Sequence, residues 1–431
     1  MEQRTIDRRE FLKKAAGVTA GVAAFPHIVS SSALGNAGSV AASNRIVMGC
    51  IGMGGMGTGD MRGFLNKKEV QVVAVCDVDK NQRDKAKKNV DDKYKNNDCK
   101  TYLDFREVVA REDIDALSLA MPDHWHSIPA VMGARAGKDI HAQKPLARTI
   151  AEGRAICDAV SRYGIIWQTG SQQRSSRDFH LACELVRNGR IGKVTRVEVG
   201  LPTGGSSDNK RIQPVPEGVD WNFWLGPAPW APYRGIMHWN WRWMMDYSGG
   251  QLTDWAGHHI DIAHWGLDLE RTGPVEIKGA GVYPKDGIYD VPMEYKFTCK
   301  YANGVVMTVA NNKQIPQGTK WYGESGKWLY VKRGKLESNP PGILKEVIGP
   351  DEIRLYRSRD HKQNFLDCIK SRKETIAPAE VAHRSISVGL LGEIAMLTEE
   401  NLKWDAEKEV FLNSDAGNRL LSRPMRSPWH L

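Results

Sequence analysis

The chain has 431 residues, more than a single ordinary hydrophobic core serves, so two domains are expected. Its hydrophobic fraction of 41% is that of a globular protein, and no run of about 18 apolar residues is present to span a membrane. The net charge of +9 is spread along the chain without a nucleic-acid-binding motif, so it reads as solvated surface and excludes a nucleic-acid partner.

Residues 1–37 read as an address. Arg8 and Arg9, followed by Phe11 and Leu12, precede a mildly apolar stretch to Val29 and a Ser/Ala/Gly-rich segment. That order matches a twin-arginine (Tat) export signal, with cleavage expected after Ala37 in Gly35-Asn36-Ala37. The expected location is therefore the periplasm, with no stable membrane association after export. The seven cysteines form no Cys-x-x-Cys pair and no disulfide framework. Folding before export, in a reducing compartment, accounts for them.

From Asn44 an apolar run of strand length empties into Gly-x-Gly-x-x-Gly at Gly52, Gly54 and Gly57. Gly52 permits a tight turn, Gly54 lets a pyrophosphate reach the backbone, and Gly57 lets the next helix pack on the strand. Met53, Gly55 and Met56 complete the loop, whose free N–H groups face phosphate at a helix start. A second buried strand, Val70 to Cys76, ends in Asp77, placed to accept from the adenine ribose hydroxyls. A carboxylate there repels a 2′-phosphate, which favours NAD over NADP, although Lys80 and Arg83 nearby offset it. Strands over Asp115–Ala120, Asp139–Ala142 and Ile165–Thr169 alternate with helices over Ser127–Ala136 and from Thr149 to Tyr163. A parallel, doubly wound sheet over residues 44–170 follows. Two strand ends carry unusual residues, Pro122-Asp123-His124-Trp125-His126 and Gln143-Lys144-Pro145.

After Gly170 the texture changes. A helix over Asp178–Asn188 and a strand over Val194–Leu201 lead into loops that hold eight of the fourteen tryptophans between Trp221 and Trp265. Flat indoles beside polar groups suit sugar rings, and they also suit plain packing between loops and a sheet. In Gly249–Asp261, Asp254 and His258 are four apart and share a helix face. An acid that orients an imidazole serves proton transfer. Helix capping, or a metal site of Asp254, His258, His259 and His264, are the other readings. Strands over Val275–Tyr283, Met293–Tyr301 and Val305–Ala310 make an antiparallel sheet, with a type I′ turn at Asn303-Gly304 and a further hairpin from Trp321 to Lys332. Residues 171–360 thus form a second α/β domain. Helices over about His361–Ser371 and Ala382–Asn401 pack back on the first domain within 361–405, and 406–431 is a polar tail.

Taken together, the glycine loop, the acid at the second strand end, Pro-Asp-x-x-His at 122–126, Lys144-Pro145 and the Gly-Gly-x-Leu-x-Asp-x-x-x-His helix resemble the glucose–fructose oxidoreductase/inositol dehydrogenase (Gfo/Idh/MocA) family. The resemblance runs from Arg45 to about Asp405. It implies a Rossmann domain with an open-faced second domain, bound NAD(P), and hydride transfer to or from a sugar carbon, in a homo-oligomer paired through the open sheet. It implies that Lys144 touches the reacting hydroxyl with Asp254 and His258 beside it, either Lys144 or His258 being the base. The expected cofactor contacts are the loop residues, Asp77, Pro122, His126 and Lys144. The expected substrate side takes in Arg174, Trp241, Arg242, Asp254, His258 and His259, with no metal. Gln143 stands where the family carries Glu, which would lower the Lys144 pKa. The Tat address and tryptophan-rich loops resemble the branch that acts on glycosides, either as a net dehydrogenase or as a hydrolase that oxidises, eliminates and re-reduces.

Overall fold

The computed structural model describes residues 44–208, 211–235 and 240–431, so the expected leader over 1–37 lies outside the described residues. The first strand, β1 (Ile46–Ile51), is followed by α1 (Gly55–Leu65), β2 (Val70–Cys76), α2 (Lys80–Tyr94), β3 (Lys100–Tyr102), α3 (Phe105–Val109), β4 (Ala116–Leu119), α4 (Ser127–Arg135), β5 (Asp139–Ala142), α5 (Ile150–Tyr163) and β6 (Trp167–Thr169). These six strands pair in parallel in the order β3-β2-β1-β4-β5-β6. That is the doubly wound dinucleotide-binding order, whose ligand crevice lies at the carboxyl ends of the strands near β1 and β4. The central strands β1, β2 and β4 are near-continuous apolar runs because helices cover both faces. Thr149 caps α5 by accepting from the Glu152 N–H.

The second sheet is built from α6 (Arg177–Arg187), β7 (Val194–Leu201), α7 (Trp221–Leu225), α8 (Gly250–Leu267), β8 (Glu276–Val282), β9 (Glu294–Lys300), β10 (Val306–Asn311), β11 (Gly318–Gly323), β12 (Trp328–Lys332) and β13 (Lys335–Asn339). Beyond them lie α9 (His361–Ser371), α10 (Ala379–Thr398), β14 (Leu402–Asp405), β15 (Val410–Phe411) and α11 (Asp415–Arg419). Nine strands run β13-β12-β11-β7-β10-β9-β8-β14-β15, antiparallel except for the β7–β10 pair. Helix α8 is pinned to this sheet by Thr319 Oγ1 donating to His259 O at 2.8 Å and by His264 Nε2 meeting the Tyr301 hydroxyl at 2.7 Å.

Two expectations change. The β9–β10 turn is not type I′, because Asn303 is absent from the left-handed residues and Gly304 alone has positive φ, +86°. Gly304 N–H donates to Tyr301 O, and Asn303 Oδ1 accepts from Val305 N–H at 3.1 Å, so the turn has one left-handed glycine at its end. The segment after 405 is also no inert tail. Phe411 pairs with Trp404, and Arg423 donates to Glu152 Oε1 and to His124 O at 2.5 and 2.8 Å. The Trp429 ring packs on Trp125 at 4.8 Å and on Phe223 at 5.3 Å.

Candidate functional site

At the end of β1, Gly52 has φ +84°, and a Cβ there would lie 2.6 Å from Ala120 O. A Cβ on Gly57 would fall 1.7 Å from Gly52 O, so only glycine lets α1 start this close to the strand. Around Gly54 and Gly55 an added Cβ meets nothing within 4 Å. The helix start is capped by no side chain, which leaves an open face with N–H donors where a pyrophosphate fits. Met53 buries its side chain and works through its N–H, which donates to Asp77 Oδ2 at 2.6 Å, while Met56 is exposed. Asp77 also accepts from Asp79 N–H at 2.9 Å, and burial raises its carboxyl pKa. It lines a cleft of about 760 Å³, its mouth included, with Gly52, Gly54, Pro122, Trp125, Trp224 and Trp241. Of the two cations that were to offset its charge, one is engaged elsewhere and the other stays beside it, its charge lowering the Asp77 pKa against burial. Lys80 pairs with Asp84, and the Arg83 guanidinium donates to the Asp77 main-chain oxygen. The residues present therefore fit an NAD ribose at Asp77.

At the end of β5, Lys144 Nζ donates to Asp254 Oδ1 at 2.7 Å and to Asp254 O at 3.0 Å. Arg242 Nε stands 3.5 Å from the same Oδ1. Burial opposes ionisation of Asp254, but the Lys144 and Arg242 charges win and hold its carboxyl below the ordinary value. This corrects the expected Asp254–His258 pair: His258, one turn along α8, donates no hydrogen bond to Asp254. Its Nδ1 is buried without a partner, and burial, then the Lys144 charge, holds the imidazole well below its usual pKa. A neutral imidazole beside an ammonium that is tied to a carboxylate can take a proton. Ser171 Oγ donates to Gly257 O at 3.1 Å, fixing α8 against the end of the first sheet.

Gln143 does not face Lys144. Its amide donates to Asp60 Oδ2 on α1 at 2.7 Å, beside Lys362, where a Glu would oppose a second carboxylate. The expected influence on Lys144 thus loses its geometric basis. His126 sets its ring nitrogens against Pro145 O and Met121 O, at 2.6 and 2.8 Å, which ties the two strand ends together rather than presenting a free edge. Arg174 is a correction too: it is 2% exposed and bound to Asp261 and Glu270 at 2.6 and 2.7 Å, so it braces α8 from below. Trp241 is buried on the cleft wall with the Arg242 guanidinium carbon 4.3 Å from its centroid. His259 stacks on Trp255, centroids 5.4 Å apart. Trp221 and Trp224 stack on each other in a local core, so for them packing is the reading that holds. The metal reading fails, since His264 is bound to Tyr301 and Asp254 to Lys144. Among the described residues no three His, Cys, Asp or Glu gather as a metal cluster.

Several contributors carry no motif. Asp79 forms a β-bridge with Val219, Lys80 N–H donates to Gly218 O at 2.9 Å, and Asp220 N–H donates to Val78 O at 3.1 Å, which hangs the aromatic loops from the end of β2. Arg426 donates to Asn222 Oδ1 and to Gly226 O at 2.7 and 3.0 Å, clamping the same loops from the other side. Arg333, in the β12–β13 turn, lies over Trp255. Only tertiary structure brings these together.

Residues 46–171 match the model of the oxidoreductase family described as an NAD-binding Rossmann fold, and residues 185–431 match that family's C-terminal alpha/beta domain. A glycosyl hydrolase family 109 protein of Shewanella sp. (strain MR-4) is 28% identical over 216 residues, 45% of each chain. Levoglucosan dehydrogenase of Pseudarthrobacter phenanthrenivorans is 30% identical over 163 residues, 38% of this chain and 35% of that one. The chain spans about half the length of the curated relatives it matches, or less. The WlbA dehydrogenase of Bordetella pertussis, solved with NADH and UDP-GlcNAcA, superposes with a TM-score of 0.63 at 15% identity over 84% of this chain and 99% of that chain. A levoglucosan dehydrogenase complex with NADH gives 0.60 at 18% identity over 83% and 99%. These two structures share the fold.

Proposed function

This chain belongs to the Gfo/Idh/MocA oxidoreductase family, and from that footing we propose that it moves a hydride between a secondary hydroxyl of a sugar or glycoside and a tightly bound nicotinamide. The observation that carries this is the Lys144–Asp254 pair at the strand ends beside the glycine loop, with neutral His258 one helical turn away. Bound NAD supplies the hydride acceptor. Lys144, oriented by Asp254, polarises the substrate oxygen, and His258 accepts the hydroxyl proton as the C–O bond becomes a carbonyl. The buried walls at Trp224 and Trp241 exclude water from the reacting carbon. We place the enzyme outside the cytoplasm, reached as a folded holoprotein by the Tat route, and as a homo-oligomer paired through its open sheet.

A second reading is favoured by the family 109 relatives: a hydrolase that oxidises the glycoside, eliminates the aglycone, adds water and reduces again. The test is common to both. Nucleotide released on denaturation is identified by mass and redox state, and intact protein is then offered glycosides while nicotinamide absorbance and free sugar are followed. A dehydrogenase leaves the cofactor reduced until an acceptor is added. The hydrolase releases sugar with no net redox change. Protein that carries no nicotinamide nucleotide would sink both, as would protein whose nucleotide no glycoside reduces and which releases no free sugar.

A further inference from the structure

Arg333 sits in the turn between β12 and β13, far along the chain from the reacting groups. Its guanidinium carbon lies 4.9 Å from the centroid of the Trp255 ring. Trp255 meets the His258 ring edge-on at 5.5 Å and lies flat against His259, with 17° between the planes. The second sheet thus brings a cation over the same turn of α8 that carries Asp254 and His258. An arginine resting on an indole is oriented, and its N–H forks stay available for a ligand.

The charges around it do not balance. Lys144 and Arg242 already share the Asp254 carboxylate. The next acid, Asp123, accepts from Ser248 Oγ at 2.6 Å. His258 and His259 are both held neutral by burial and cationic neighbours. Arg333 is exposed and, among the described residues, makes no hydrogen bond or ion pair; the acid whose charge reaches it is Asp254, which Lys144 and Arg242 already share. A site meant for a neutral polyol alone has no use for a third cation around one carboxylate.

Resting on the oxidoreductase reading above, we propose that the sugar taken by this site carries an oxyanion, a carboxylate or a sulfate ester, and that Arg333 binds it. A planar guanidinium meets either group through paired, charge-assisted hydrogen bonds. The anion would hold the ring beside Lys144 and His258 and supply the charge that Asp254 alone does not.

The test uses full-length holoprotein and matched aryl glycosides: a glucuronide with its glucoside, and a sulfated glucoside with its unsulfated parent. Turnover of the bound nicotinamide with an added electron acceptor gives kcat/KM for each. Wild type is expected to favour one acidic member over its neutral partner by at least about tenfold, and which pair does so tells carboxylate from sulfate. R333A should collapse that ratio by about 10- to 100-fold, mainly through KM, and R333K should restore part of it. Should R333A fail to fold, R333K and R333Q read the same ratio. A wild-type preference for neutral members, or a ratio that the Arg333 variants do not move, overturns the proposal and leaves the oxidoreductase reading standing. A bound nicotinamide that no member of either pair reduces overturns both.

Discussion

Lys144 spends its hydrogen bonds on Asp254, taking both the carboxylate and the main-chain oxygen of that one residue. The pair joins the end of a parallel strand to the first turns of α8, and its geometry sets where a substrate oxygen can lie. Replacing Asp254 by Asn keeps the shape and removes the charge. D254N is expected to lower kcat by about 10²- to 10⁴-fold, the range for a lost acid–base partner, with nucleotide content unchanged. Single-turnover reduction of the bound nicotinamide measures it, and a variant within threefold of wild type would remove Asp254 from the machinery.

The buried histidines make stability fall on acidification. Burial lowers His124, His259, His264 and His361 to about 3 and His141 to about 4. Below the ordinary value near 6.5 the unfolded chain takes up protons that the folded chain refuses, so stability rises with pH through that window and is lost below it. Each such histidine contributes up to about 1.4 kcal/mol per pH unit. Between pH 6.5 and 5 the urea midpoint should drop steadily. Because His258 is lowered too, its acid limb in kcat should lie well under 6.5; a limb near 6.5 that H258Q abolishes would contradict the neutral, desolvated imidazole.

R174A should behave as a stability variant. Arg174 neutralises two carboxylates, Asp261 and Glu270, and truncation leaves the buried Asp261 without its cation. The expected loss is about 3–5 kcal/mol in denaturant unfolding, the usual cost of breaking a buried pair. Protein that still folds should keep a KM close to wild type. A large rise in KM without loss of stability would return Arg174 to the substrate side.

Trp429 packs on Trp125 and Phe223, both of which line the nucleotide cleft. W429A is expected to release bound nucleotide at least about tenfold faster, as the wall loses its support. Dialysis followed by measurement of retained nucleotide checks this. Equal retention in variant and wild type would show that the wall stands alone.

The local features were readable in order. Gly52 and Gly57 act through the backbone within a few residues, so spacing alone placed the tight turn and the close helix start. Strand alternation and the cap at Thr149 are equally local. What spacing misjudged is the partner of Asp254. Four residues along a helix put His258 on the same face, but two cations from other elements compete for the carboxylate and win, since charged donors bind it more strongly than a neutral ring. Arg174 misled for a similar reason, because its acid lies 87 residues away. The segment after residue 405 looked inert because its polar composition hides Arg423, Arg426 and Trp429, whose partners are distant in sequence. Arg333 gave no signal at all; a basic hairpin turn is ordinary until a fold lays it on an indole.

The main-chain bridge between Asp79 and Val219 makes the aromatic wall a dependant of the nucleotide strand. An engineer who transplants residues 218–247 into a cousin to redirect its taste for sugars would leave the graft unmoored unless 78–80 travelled with it. Recognition in this molecule is inherited as a joined pair of segments, and shuffling either one separately should yield scaffolds that fold yet grip nothing.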